Sequence, residues 1–170
     1  MKASFEDLAD PFKSKAQLLQ DHIQEKGLPF TLFEARRSFK RQAELFNQGR
    51  ELRDGLMVTV SPGNIVTKAR AGESPHNWGL AADFILVLDH FYWKRWNDKP
   101  DTPWDSGQGV KVIKPNVINV WHQFGALAKG VDLVWGGSWQ FRDLPHVELS
   151  NWKTFRPQNY KAVVEREMSK

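Results

Sequence analysis

At 170 residues, with 41% hydrophobic content that includes eight Trp and eleven Phe, the chain lies in the one-domain range and has enough apolar mass to bury a sizeable core, which excludes a disordered polypeptide. It has no Cys, so disulfides, thiolate metal sites and a cysteine nucleophile are excluded. A formal net charge of +4 and a pI near 9.4 favour an acidic partner, but Lys and Arg are scattered rather than packed into a basic tract, so nucleic acid is not the expected one.

The first residues carry Glu6 and Asp7 where a secretory leader would have its apolar core, and no later run reaches membrane-spanning length. Synthesis in the cytoplasm without a signal peptide and no stable membrane insertion are therefore expected; a monomer is expected as well. Asp10-Pro11 predicts a helix start, with Asp10 as N-cap and Pro11 at the first helical position; Phe12, Leu19 and Ile23 form its apolar stripe and Gly27 ends it. Residues 28–33 read as a strand. Ser38 then caps a second helix with Phe39, Ala43 and Phe46 on one face and Gly49 beyond its end, which leaves Arg37 at a strand-to-helix junction. Ser61-Pro62-Gly63-Asn64 predicts a turn and residues 65–68 a short strand.

A turn at Gly72-Glu73-Ser74-Pro75 precedes His76, and Asp83 opens the apolar run 84–88, whose length argues a buried strand. Residues 89–116, rich in Trp, Asp, Pro and Gly, read as an excursion, with a lid or specificity wall and a plain surface connection both open. Residues 116–129 predict a helix, with Val117, Val120, Trp121, Phe124 and Leu127 at helical spacing and Gly130 beyond. His122 lies off that stripe and, with His22 and His90, is read as structural. After Asp143-Leu144-Pro145, the alternating run His146-Val147-Glu148-Leu149 puts His146 and Glu148 on one face of a strand and Val147 and Leu149 on the other. A short terminal helix is expected near 161–168. Helices around short strands predict a small α+β domain whose antiparallel sheet carries the site.

Taken singly, His76, Asp83, Asp143 and His146 are ordinary surface or core residues, and Asp143 before Pro145 reads equally as a turn residue. Together they supply two imidazoles and two carboxylates. Three nitrogen and oxygen ligands leave the fourth tetrahedral position of a zinc ion to water, and a separate carboxylate can take that water's proton.

Ser74, His76, Gly79, Ala81 and Asp83 spell Ser-x-His-x-x-Gly-x-Ala-x-Asp, and Asp143 with His146 spells acidic-x-x-His. This pair resembles the two zinc motifs of the D-Ala-D-Ala carboxypeptidase and L-alanyl-D-glutamate peptidase family, and residues 135–148 resemble its phage-endolysin endopeptidase branch. The resemblance runs from about Thr31 to about Leu149. It implies the hedgehog/D-Ala-D-Ala-peptidase fold, zinc bound by His76, Asp83 and His146, and Asp143 as general acid/base, where some members carry Glu. Ala35-Arg36-Arg37-Ser38-Phe39-Lys40-Arg41-Gln42 resembles the family's Tyr-Arg-Ser-x-x-x-Gln segment with Arg36 in place of the usual aromatic. It aligns Arg37 with an active-site arginine able to hold the scissile carbonyl oxygen or a substrate carboxylate, while Arg36, Lys40 and Arg41 read as a solvated basic face. Ser74 is expected to orient His76, and Glu148 to support His146 from behind, with a purely structural role open for both. Trp78 and Trp139, inside the motifs, are the groove candidates.

The resemblance further implies a single zinc peptidase catalytic domain over 1–170 without a separate cell-wall-binding module. Its expected substrate is bacterial peptidoglycan, cut at the L-alanyl-D-glutamate bond, and its expected context is phage lysis, with the wall reached through a membrane pore. D-alanyl-D-alanine carboxypeptidase activity is the alternative among enzymes, and a non-catalytic zinc-containing binding module the alternative outside them.

Overall fold

The computed structural model describes residues 3–86 and 115–170. In chain order these form α1 (Phe12–Glu25), β1 (Phe30–Glu34), α2 (Phe39–Asn47), β2 (Arg50–Arg53), β3 (Leu56–Thr59), β4 (Ala81–Leu86), α3 (Pro115–Gly130), β5 (Leu133–Trp135), β6 (His146–Leu149) and α4 (Tyr160–Met168), with short 3-10 turns between. One sheet is antiparallel throughout, in the order β1-β4-β6-β5, and β2-β3 is a separate hairpin. The expected α+β architecture is thus observed.

One face of the four-stranded sheet makes the core. Phe12, Ala16, Leu19 and Ile23 recur at helical spacing on α1 and are fully buried. They join Phe30 of β1, Ala82, Phe84 and Leu86 of β4, Val147 and Leu149 of β6, and Trp121 and Phe124 of α3. Phe30 stands 4.7 Å from the rings of both Trp121 and Phe124, and Phe84 5.6 Å from Phe124, offset aromatic contacts worth about 1 kcal/mol each beyond their burial. With alternate residues committed to this core, the strands present the others to the opposite face, which is the floor of a cleft of about 1370 Å³.

Several expectations shift. The first helix begins at Phe12, not Pro11; Asp10 still serves its start, since its carboxylate accepts from the Ser14 backbone N–H at 3.3 Å and the Ser14 hydroxyl at 2.6 Å. No strand forms at 65–68, because Pro62–Asn64 is a 3-10 turn that leaves the following chain without a ladder partner. The strands here are instead β2 and β3, joined across Asp54 and Gly55, both at positive φ (50° and 77°), as a tight hairpin turn requires. The excursion expected over 89–116 falls almost wholly outside the described residues, as do residues 87 and 88 of the expected strand.

Candidate metal centre

The centre is built on a row of residues across three strands. Asp83 of β4 is the direct register partner of His146 of β6, so both side chains leave the sheet side by side on the cleft face. On the other side of Asp83, β1 carries a bulge between Leu32 and Glu34 that makes Glu34 the partner of Asp83. Without it, strict alternation would send Glu34 to the core face shared by Phe30 and Leu32; the extra residue turns it to the cleft.

His76 comes from the loop. Pro75–Trp78 is a 3-10 turn closed by Gly79 at φ 70°. Gly79 is required twice over: its backbone is left-handed, and a Cβ there would lie 2.9 Å from the Ala9 nitrogen, which donates to the Gly79 carbonyl at 2.9 Å. Ser74, expected to orient His76, makes no side-chain hydrogen bond to this turn. The Ala35 carbonyl does that work, accepting from His76 Nδ1 at 2.8 Å and so leaving Nε2 to face inward. Glu148 holds His146 as expected, with Oε2 3.0 Å from Nε2, so that Nδ1 faces the centre.

Three inward atoms then form a nearly equilateral triangle: His76 Nε2 to His146 Nδ1 3.2 Å, His76 Nε2 to Asp83 Oδ1 3.3 Å, and His146 Nδ1 to Asp83 Oδ1 3.2 Å. A tetrahedral ion with bonds of about 2.0 Å has ligand–ligand edges of about 3.3 Å. The donor set, two imidazoles with their far nitrogens tied and one carboxylate, fits a zinc-type ion in both chemistry and spacing.

The electrostatics match this crowding. Burial alone would raise the Asp83 carboxyl, but the charge of His76 and the hydrogen bonds from His146 and His76 overcome it and hold Asp83 well below the ordinary carboxylate range. Burial opposes a charge on His146, yet its bonds to Asp83 and Glu148 push it up to about 10. Asp143 behaves oppositely: burial, reinforced by the Asp83 charge, raises it to about 6 against the pull of His146, His76 and Arg37. Its loop is drawn onto the site at Gly136, whose carbonyl accepts from the Asp143 N–H at 3.0 Å and where a Cβ would lie 2.5 Å from the Asp143 carbonyl oxygen.

Arg37 reaches the centre from the β1–α2 junction, with its guanidinium engaged on every nitrogen. Nε bonds Glu34 at 3.0 Å, Nη2 pairs with the same carboxylate and reaches Asp83 Oδ2 at 3.4 Å, and Nη1 bonds Gln42 at 2.8 Å. Although burial disfavours its charge, these acceptors raise its pKa further above the ordinary value. Asp83 is therefore shared, Oδ1 toward the triangle and Oδ2 toward Arg37. Glu34, Gln42 and the Ala35 carbonyl were not singled out as site groups from sequence; Gln42 was visible as the last residue of the Arg37 segment, whereas Glu34 depends on the bulge. Asn77 was missed as well: buried, it ties the Arg37 segment to the turn before His76 by donating to the Arg37 carbonyl at 3.0 Å and accepting from the Gly72 N–H at 2.8 Å.

Trp139 and Trp78 both line the cleft, Trp139 partly exposed with its ring 5.2 Å from that of His146, and Trp78 packed on Phe39 at 5.3 Å and donating to the Gly72 carbonyl. His122 packs against Trp135 away from the triangle, His22 lies in the last turn of α1, and His90 falls outside the described residues.

Fold and site together define a metallopeptidase. Two family models, each described as D-alanyl-D-alanine carboxypeptidase, match residues 6–104 and 67–149. Peptidoglycan L-alanyl-D-glutamate endopeptidase CwlK of Bacillus subtilis (strain 168) is 36% identical over 146 residues, spanning 84% of this chain and 74% of that protein. The chain belongs to the D-alanyl-D-alanine carboxypeptidase family of peptidases. Its fold matches the crystal structure of Serratia marcescens L-Ala D-Glu endopeptidase ChiX at a TM-score of 0.52 and 17% identity, over 90% of this chain and 87% of that one. Among the described residues no helix is long and apolar enough to cross a membrane.

Proposed function

We propose that this chain is a zinc-dependent endopeptidase that cuts peptidoglycan stem peptides at the L-alanyl-D-glutamate bond, with His76, Asp83 and His146 holding the ion and Asp143 as general acid/base. The observation that carries the proposal is the 3.2–3.3 Å triangle of inward donor atoms with a raised carboxyl beside it in one cleft. Likeness to CwlK supports the choice of bond. Zinc, when bound, supplies a polarised water with a pKa near 7 and a Lewis acid for the scissile carbonyl.

The chain's own groups do the rest. Ala35 and Glu148 fix the two imidazoles in the tautomers that aim His76 Nε2 and His146 Nδ1 inward. Arg37 clamps Asp83 through Oδ2 and so keeps Oδ1 directed at the triangle. The Asp143 carboxylate takes a proton from the attacking water and returns it to the leaving amine, and burial of its side chain favours the protonated form that the second transfer needs. Trp139 walls the cleft beside His146.

The common core supports reading the described residues as one catalytic domain. The endolysin-like segment 135–148 would set the reaction in phage lysis, with the wall reached through a membrane pore; CwlK, a bacterial endopeptidase, supports the chemistry but not that setting. The family models favour a second reading, D-alanyl-D-alanine carboxypeptidase. Digestion of purified peptidoglycan by zinc-loaded protein, with a chelated control and mass spectrometry of the products, separates the two. New N-terminal D-glutamate establishes the endopeptidase and free D-alanine the carboxypeptidase. Zinc binding without cleavage of any bond would reduce the protein to a binding module.

A further inference from the structure

The basic groups on the cleft wall are not equivalent. Arg37 is committed to Glu34, Gln42 and Asp83, Arg41 pairs with Glu44 at 3.7 Å, and Arg166 with Glu167 at 3.5 Å. Among the described residues Arg36 and Lys40 line the same cleft with no carboxylate partner. Arg36 is further distinguished by its backbone. The Ala35 carbonyl on one side accepts from His76 Nδ1 at 2.8 Å, and the Arg37 N–H on the other donates to the His76 carbonyl at 2.9 Å. Its Cα is thereby pinned beside His76, while its side chain is exposed. Lys40, in the first turn of α2, has no such tie.

We infer that Arg36 is the subsite for a substrate carboxylate placed next to the scissile bond, and so a determinant of specificity. The inference rests on the endopeptidase reading. In a stem peptide the glutamate continues through its γ-carboxyl, so its free α-carboxylate sits on the carbon that bears the leaving nitrogen. A guanidinium offers that group two parallel N–H donors, and its exposed start point lets it adjust to the bound peptide. Arg37, with four of its five N–H donors on protein acceptors, holds the metal ligand. The pair thus divides the work between substrate and site.

The test compares two synthetic peptides of the L-alanyl-γ-D-glutamyl type, one with a free α-carboxylate and one with an α-carboxamide, against wild type, Arg36→Gln, Arg36→Lys and Lys40→Gln, all zinc-loaded and checked for fold by circular dichroism. Wild type is expected to prefer the acid by about tenfold or more in kcat/KM, the scale of one charge-assisted contact. In Arg36→Gln the ratio should collapse toward one through KM, Arg36→Lys should recover part of it, and Lys40→Gln should keep the wild-type ratio. Equal cutting of both peptides by wild type, or an unchanged ratio in Arg36→Gln, overturns the subsite alone. Failure of wild type to cut either peptide at the alanyl-glutamyl bond overturns the endopeptidase reading and the subsite with it.

Discussion

Asp83 and His146 leave the sheet from directly opposed positions on its two central strands, whereas Asp143 leaves from the loop that joins β5 to β6. Each of the strand-borne pair has a second side-chain partner, Arg37 behind Asp83 and Glu148 behind His146. Asp143 is tied through its backbone, to the Gly136 carbonyl and the His146 N–H. A group that must hold an ion gains from rigidity, because each ligand atom has to stay near 3.2 Å from the others. One that carries a proton between water and a leaving amine gains from a raised pKa and some freedom to move.

That contrast breaks most sharply in the variants with the largest effects. Asp83→Ala or His76→Ala should abolish metal retention on dialysis and hydrolysis together. Asp143→Ala should keep the metal and lose about 10²- to 10⁴-fold in kcat, as measured by metal content alongside peptide turnover. Loss of metal from Asp143→Ala would erase the distinction between strand and loop. A step smaller, Glu34→Gln should weaken metal affinity by about 10- to 100-fold, since it loosens Arg37 and through it Asp83. Titration with a competing chelator reads this directly, and unchanged affinity would show that the three-strand row does not act as a unit. Gly79→Ala is expected to destabilise the protein by about 2 kcal/mol or more, from left-handed strain and the 2.9 Å approach to Ala9, read in denaturant unfolding.

The pH effects are smaller and opposite in their lessons. In the metal-free protein His146 sits near 10 against 6.5 ordinarily, so its contribution to stability is complete below pH 6.5 and is lost as pH rises through about 10. Zinc binding at pH 7.5 should therefore release about one proton per ion, visible by calorimetry in buffers of different ionisation enthalpy. Asp143, raised to about 6, favours the folded state most below its ordinary pKa of 3.8, and that contribution is lost as pH rises through 6. Asp143→Asn should then stabilise the metal-free protein at pH 7.5, on the order of 1 kcal/mol, and leave it unchanged at pH 3.5. Equal melting temperatures at both pH values would count against a buried, raised carboxyl.

The grouping of His76, Asp83 and His146 was legible in the sequence because the motifs that carry the family resemblance are local. The turn before His76, the apolar run after Asp83 and the alternation 146–149 agree with it, each over a few residues. Helices were legible through their stripes, as in Phe12, Leu19 and Ile23. Glu34 was not, because a bulge reverses the face that period-two reading assigns, and a bulge is set by pairing between distant strands. The β2–β3 hairpin escaped because Arg50–Arg53 is polar and largely exposed, although Asp54-Gly55 was the turn signal to follow. Conversely, the apolar character of 65–68 suggested a strand that the fold gives no neighbour. Gln42 and Asn77 are buried polar groups whose partners, the Ala69 and Arg37 carbonyls, lie 27 and 40 residues away, a reach that no window of sequence displays.

The most direct test of the account is a crystal of the zinc-loaded protein, with the ion located by anomalous scattering. The account predicts one ion about 2.0–2.2 Å from His76 Nε2, Asp83 Oδ1 and His146 Nδ1, with Glu148 still bonded to His146 Nε2. An ion held through His146 Nε2, by Glu148, or away from Asp83 altogether would contradict it.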